Sequence, residues 1–316
     1  MPRYLQLTCL FFCLFASILT GPAVAENSVI APLAPHSLLL DIQRIGDTLV
    51  AVGERGHILT SSDSGNHWTQ HQVPTRATLT AVYFIDATHG WAVGHDQVIL
   101  RTLDGGSTWT LVYQDPEAES PLLDVYFPDA QHGFAVGAYG QFLETLDGGD
   151  SWEARWISED DFHLNRIVPV GSRLFIAAEA GAAYRSDDGG DNWIALDPGY
   201  EGSFFGILPL GEQSLLLFGL RGHLFRSDDA GDNWTQIASG TEASLATGLQ
   251  LENGKLLLAG MAGALLVSTD QGNSFTLNQD VDRKGFSALA QAADGQVVAV
   301  GDFGVARLPE TDYAAR

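Results

Sequence analysis

Four carboxylates, Glu54, Asp96, Glu179 and Asp302, stand in short loops that each follow a small-residue stretch such as "AVG" or "AA". Paired carboxyls are the machinery of glycoside hydrolysis, which needs an acid and a nucleophile or base about 5 to 9.5 Å apart. The same loops carry Arg55, His57, His95, Tyr139, Arg221, His223 and Phe303. As a set these residues offer charges and aromatic surface to a bound partner as readily as they offer acids to a substrate. No G-x-S-x-G elbow, phosphate-binding loop or H-E-x-x-H zinc motif accompanies them. Whether they converge depends on the elements that carry them.

Those elements repeat. The motif [ST]-x-D-x-G-x-x-[WF] occurs six times, and its aspartates and aromatics are Asp63 and Trp68, Asp104 and Trp109, Asp147 and Trp152, Asp188 and Trp193, Asp229 and Trp234, and Asp270 and Phe275. The aspartates are separated by 41, 43, 41, 41 and 41 residues. A period near 41 fits a four-stranded propeller blade. A second landmark recurs seven times, at Gly53, Gly94, Gly137, Ala178, Gly219, Gly260 and Gly301. The expected fold is therefore all-β: a seven-bladed β-propeller of four-stranded blades. The seventh unit ends one strand short, so the apolar segment "NSVIAPLAP" is expected to supply the missing strand and close the ring by completing blade seven.

Each part of the motif has a structural task. The Asp accepts turn N–H groups, the Gly tolerates positive φ, and the aromatic folds back between sheets. The six motifs resemble the Asp-box repeats of sialidases and related propellers, and that resemblance implies boxes on the periphery with any ligand on the opposite face. A sialidase further needs an arginine triad and a tyrosine nucleophile, whereas the loops hold only Arg55 and Arg221 and no F-R-I-P segment precedes the first box. The acidic version at Asp187, Asp188 and Asp191 lacks the distal glutamate of a calcium loop. No metal, cofactor or catalytic residue is expected.

Residues 1–25 read as a signal peptide, with Arg3, an apolar run from Leu5 to Leu19 and a small-residue cleavage site ending at Ala25. Residues 26–316 then form one propeller domain, exported to a periplasm or secreted. Both cysteines, Cys9 and Cys13, fall in the leader, so this domain folds without disulfides. The formal charge of −23 becomes about −24 without Arg3, which opposes binding to nucleic acid or anionic lipid.

The stretches "VYFIDATHGWAVGHDQVILRTLDGGSTW" (82–109) and "VYFPDAQHGFAVGAYGQFLETLDGGDSW" (125–152) resemble the repeat of the photosystem II assembly and stability factor family, exported seven-bladed propellers of cyanobacteria and chloroplasts. The resemblance implies an assembly or interaction scaffold for a membrane-protein complex, with a thylakoid-lumen location in a photosynthetic host. It also implies an arginine-rich docking surface, for which Arg55, Arg101, Arg185, Arg221 and Arg226 are the residues near the motif. Gln97 departs from the pattern where a loop glycine is usual, as do Ala178 and Phe275. The expected state is a monomer whose partner is a membrane-protein complex or an exported protein. The competing expectation is a glycan-binding or glycoside-hydrolysing Asp-box propeller, stacking sugars on Tyr139, Phe303, Trp91 or Trp156.

Overall fold

The computed structural model describes residues 26–279 and 282–313; the leader expected over 1–25 lies outside them. Among the described residues seven antiparallel sheets follow one another, six of four strands and one of three. Within each sheet the strands are ordered as in the sequence, so every blade is a simple meander. The first strands, such as Leu39–Ile45, Leu79–Phe84 and Leu122–Tyr126, contact one another around the whole ring, and blade one meets blade seven in the same way.

Side-chain patterning explains the radial order. Second strands such as Gly90–Gly94 (GWAVG) and Leu215–Gly219 (LLLFG) are buried at every position. They are enclosed by a sheet neighbour on each side and by a blade on each face, so no polar alternation is needed. Outer strands are three or four residues long and mixed in polarity, as in Thr69–His71 (TQH) and Glu153–Arg155 (EAR), which suits an edge exposed to water.

Seven apolar clusters fill the seven seams. Six of them include a box aromatic: Trp68, Trp109, Trp152, Trp193, Trp234 or Phe275. Blade seven has no box, and in its seam with blade six Tyr313 takes the aromatic place, 7% exposed and bonded at its hydroxyl by Gln296.

Ring closure differs from the sequence expectation. Among the described residues, blade seven has three strands, Phe286–Gln291, Val297–Gly301 and Gly304–Arg307, and the segment 26–38 belongs to no sheet. That segment is a strap along blade one. Ser28 is fully buried, donates its N–H to the Val73 carbonyl at 2.8 Å and accepts the Val73 N–H on its Oγ at 2.9 Å. Gln70 brackets the next turn, accepting from Ala31 N–H and donating to the Val29 carbonyl. The seam between blades seven and one is closed by side chains instead. Arg44 reaches the Gln291 and Ala292 carbonyls and Glu252, and Arg307 reaches the Ser64 carbonyl and Asp294.

Candidate functional site

A four-strand meander places the boxes and the turns between first and second strands on one face. The turns between second and third strands, with the inter-blade connections, lie on the other. The box geometry is the same in all six copies. In blade three, Asp147 Oδ1 accepts from Thr145 Oγ1 at 2.8 Å and from the Ser151 N–H at 2.9 Å, and Oδ2 accepts from Ser151 Oγ at 2.6 Å. Thr145 Oγ1 also receives the N–H of Gly149, whose φ of 91° is open to glycine. Hydrogen bonds led by those of the box side chains hold the carboxyls of Asp147, Asp188 and Asp270 at about 2. Trp68, Trp109 and Trp193 donate their indole N–H to the carbonyl of the box glycine.

Arginine locks this face further. Arg101, Arg185, Arg226 and Arg307 each donate to the carbonyl of the residue after the box Asp in the following blade: Gly148, Ala230, Gln271 and Ser64. Arg101, Arg185 and Arg226 are thus fasteners on the box face, with side chains only 21%, 13% and 12% exposed. They form no docking patch, and the sequence expectation for them is corrected accordingly. In the acidic box, Asp187 is engaged by Arg173 and Arg185, and Asp188 by Ser186 and Asn192. Among the described residues, no three His, Cys, Asp or Glu side chains are grouped to hold a metal.

On the opposite face, six of the seven turns share one backbone device. A tight turn, a short 3-10 helix in five of the six and a simple turn at Ala180, places its second residue in the left-handed region: Arg55, Asp96, Tyr139, Ala180, Arg221 and Ala262 all have φ of 54–57°. Such a residue costs roughly 1–2 kcal/mol relative to the right-handed conformation. Alanine occupies the position in blades four and six, so the device is architectural. Where it carries Arg55, Asp96, Tyr139 or Arg221, it raises an exposed side chain off the face. In blade two Gln97 also takes positive φ, at 48°, and its buried amide donates to Ser120 Oγ at 2.7 Å. Close approach governs the landmark glycines, since a Cβ on Gly94 would strike the Thr78 carbonyl.

The sequence-derived ring divides into separate groups. Glu54, Arg55, His57 and Asp302 line one cleft of about 920 Å³ at the seam of blades seven and one, roofed by the strap through Val29 and Leu33. Glu54 accepts the Leu38 N–H at 3.4 Å, and Asp302 accepts the Gly285 N–H at 3.3 Å. Arg55 is 80% exposed, with Glu54 4.0 Å away. His57 is only 3% exposed, and burial lowers its pKa. Tyr139 and Glu179 meet through His163, a residue not singled out from sequence: the Tyr139 ring lies 4.8 Å from the His163 ring, and Glu179 accepts the His163 N–H at 3.0 Å. His223 stacks on Tyr200 at 4.0 Å. His95 and Asp96 are exposed on blade two, and Arg221 on blade five. Phe303 is a packing residue, edge-on to Phe286 in the seam of blades six and seven, while Trp91 is 1% exposed and stacked on Phe127. Tyr139 and Trp156 remain open aromatics, 58% and 77% exposed.

Known proteins bear on this geometry. Photosystem II assembly protein Ycf48 of Thermosynechococcus vestitus is 48% identical over 44 residues, 14% of this chain and 13% of the relative. Photosystem II stability/assembly factor HCF136, chloroplastic, of Cyanidioschyzon merolae is 31% identical over 105 residues, 32% of this chain and 23% of the relative. The chain thus spans about a quarter or less of the length of these curated relatives. A solved structure described as YCF48 bound to D1 peptide superposes with a TM-score of 0.69 at 21% identity, covering 85% of this chain and 92% of that one, which supports the propeller fold. The family profile described as photosynthesis system II assembly factor YCF48 matches residues 60–120 and 112–257, more than half of the sequence, and the chain belongs to that family.

Proposed function

We propose that the chain is a non-catalytic, exported propeller that serves as an assembly or interaction scaffold for a membrane-protein complex and holds its partner on the loop face. The observation that carries this reading is the division of labour between the faces. The box face is committed to internal fastening by six boxes and four arginines, whereas the loop face raises Arg55, Asp96, Tyr139 and Arg221 on a shared turn and opens the cleft beneath the strap. Its acids serve the chain itself: Glu54 accepts the Leu38 N–H, Glu179 binds His163 and Asp302 accepts the Gly285 N–H. A relative solved with a D1 peptide supports a segment of a membrane protein as the bound partner. The compartment is a periplasm or the exterior, or a thylakoid lumen in a photosynthetic host.

The test is a crosslinked pull-down of the tagged protein from its native envelope. A variant combining Arg55→Glu and Arg221→Glu, both exposed on the loop face, is expected to lose the membrane complex recovered by wild type while its melting temperature stays the same. Equal recovery would move the docking site off this face, and release of reducing sugar by the purified protein would replace the scaffold with a hydrolase.

A further inference from the structure

The cleft beneath the strap contains a polar group that the chain leaves unanswered. His57 lines this cleft, is 3% exposed, and has no hydrogen-bond partner at Nδ1 among the described residues. It opens the third strand of blade one, His57–Ser61, on the same side as Leu59, which packs in the seam of blades seven and one. Packing alone does not call for an imidazole at this position. Val98 fills it in blade two and Ala264 in blade six, each within the apolar cluster of its own seam. A buried nitrogen without a partner is destabilising, so its presence in a native fold calls for an explanation.

Blade five shows how the chain can satisfy the same residue. There His223 Nδ1 is bonded at 3.1 Å by Gln236 Nε2, from the middle of the outer strand Thr235–Ile237, thirteen residues on. Gln70 likewise stands thirteen residues after His57, in the middle of the outer strand Thr69–His71 of blade one. Its amide is taken by the strap: Oε1 accepts the Ala31 N–H at 2.7 Å, and Nε2 donates to the Val29 carbonyl at 2.9 Å. The strap therefore leaves His57 without the carboxamide that His223 has. Burial lowers the His57 pKa, which favours the neutral ring and leaves one of its nitrogens an acceptor.

We propose that this cleft is a recognition site for a glutamine side chain on an extended segment of the partner protein, with His57 Nδ1 accepting its amide N–H. The proposal rests on the loop-face scaffold reading and names a chemical feature of that partner. Gln236 against His223 is the internal model of the contact. The rest of the cleft suits a neutral amide on an aliphatic segment. Val29 and Leu33 of the strap, 58% and 69% exposed, give it an apolar wall. Glu54 and Asp302 also line it, so a carboxylate head group would meet like charge. Its volume of about 920 Å³ lies within the range of pockets that enclose small ligands.

Titration of the mature chain with acetyl-Leu-Gln-Leu-amide tests the site. The control is acetyl-Leu-Met-Leu-amide, of similar shape but without the side-chain N–H. Nitrogen-15 NMR of the His57 ring reads the contact directly. The glutamine peptide should shift the Nδ1 resonance and bind about tenfold more tightly than the methionine peptide. His57→Leu should abolish this preference while melting no lower than wild type, because it removes a buried polar group that has no partner. Equal binding of the two peptides overturns the proposal. So does a His57→Leu variant that melts lower and keeps the preference, since His57 would then be a packing residue. An Nδ1 resonance already hydrogen-bonded in the free protein and released by Gln70→Ala would give the nitrogen an internal partner, and would overturn it too. Peptide binding is read without the membrane complex, so failure here leaves the envelope pull-down standing, and equal pull-down by the Arg55 and Arg221 variant leaves this site standing.

Discussion

At the scale of the residue, each box spends a carboxylate, a hydroxyl and an aromatic ring on holding one turn and one seam. Trp152 packs edge-on against Phe127 at 5.8 Å, within the cluster that joins blades two and three. Trp152→Ala should cost about 3–5 kcal/mol through the cavity it leaves. Urea denaturation measures the loss, and partner binding by the folded fraction should be unchanged, since the residue lies in a seam and not on the loop face. A loss of binding at full stability would instead give the box a direct role in recognition. The fastening arginines belong to the same scale. Their partners are main-chain carbonyls of the next blade, which a sequence pattern does not display, so Arg101, Arg185 and Arg226 look like surface charge until the neighbouring box is placed beside them.

At the scale of the element, the strap replaces the strand expected to complete blade seven. Ser28 is the residue that holds it: its Oγ accepts the Val73 N–H in a fully buried setting. Ser28→Ala leaves that N–H without its acceptor and should lower stability by about 1–3 kcal/mol. Limited proteolysis should at the same time cut the variant within residues 26–33 well before the propeller core; unchanged cleavage and stability would mean that the strap is held by other contacts. What was legible in the sequence follows from this contrast. Spacing of the boxes and of Gly53 through Gly301 sets seven meanders and two distinct faces, because each repeat buries the same positions. The strap's path was not legible, since "NSVIAPLAP" shows that the segment is apolar and extended but not which edge the Ser28 hydroxyl and the Gln70 amide will bracket. The loop-face set was legible as a list and not as a site. His57 begins a strand and turns inward, and Phe303 enters a seam, because a shorter turn in blade seven brings it against Phe286. His163 carried no periodic signal that would have joined it to Tyr139 and Glu179.

At the scale of the whole molecule, the ring turns on a charged cluster near its axis that links blades one, three and four. Asp41, Asp124 and Arg166 occupy the same register position, each at the bulge where a first strand begins. Asp41 accepts the Val82 N–H of blade two at 3.0 Å, and Asp124 accepts the Ile167 N–H of blade four at 2.8 Å, so both carboxylates clip a blade to the next. Arg166 lies 3.4 Å from Asp124 and 3.9 Å from Asp41, deep in the ring yet with 41% of its side chain open to solvent. Burial pushes the Asp124 carboxyl up to about 6, against the opposing pull of Arg166. A folded-state value above the unfolded one means that the protonated form is favoured in the ring. The contribution of Asp124 is therefore complete below its unfolded value near 3.8 and is lost as pH rises through about 6. The box aspartates act in the opposite sense, but their contribution is lost only as pH falls from 3.8 through about 2, outside this window. Asp124→Asn keeps an oxygen for the Ile167 N–H and removes the titration. Whatever constant offset the substitution brings, the stability of Asp124→Asn relative to wild type should rise from pH 4 to about pH 6 and level off above it in paired urea titrations. His57, whose lowered pKa makes stability rise with pH, is present in both proteins and cancels in the difference. Parallel stability curves would show that Asp124 ionises in the ring as freely as in the unfolded chain, and the axial cluster would then hold the blades by its hydrogen bonds alone.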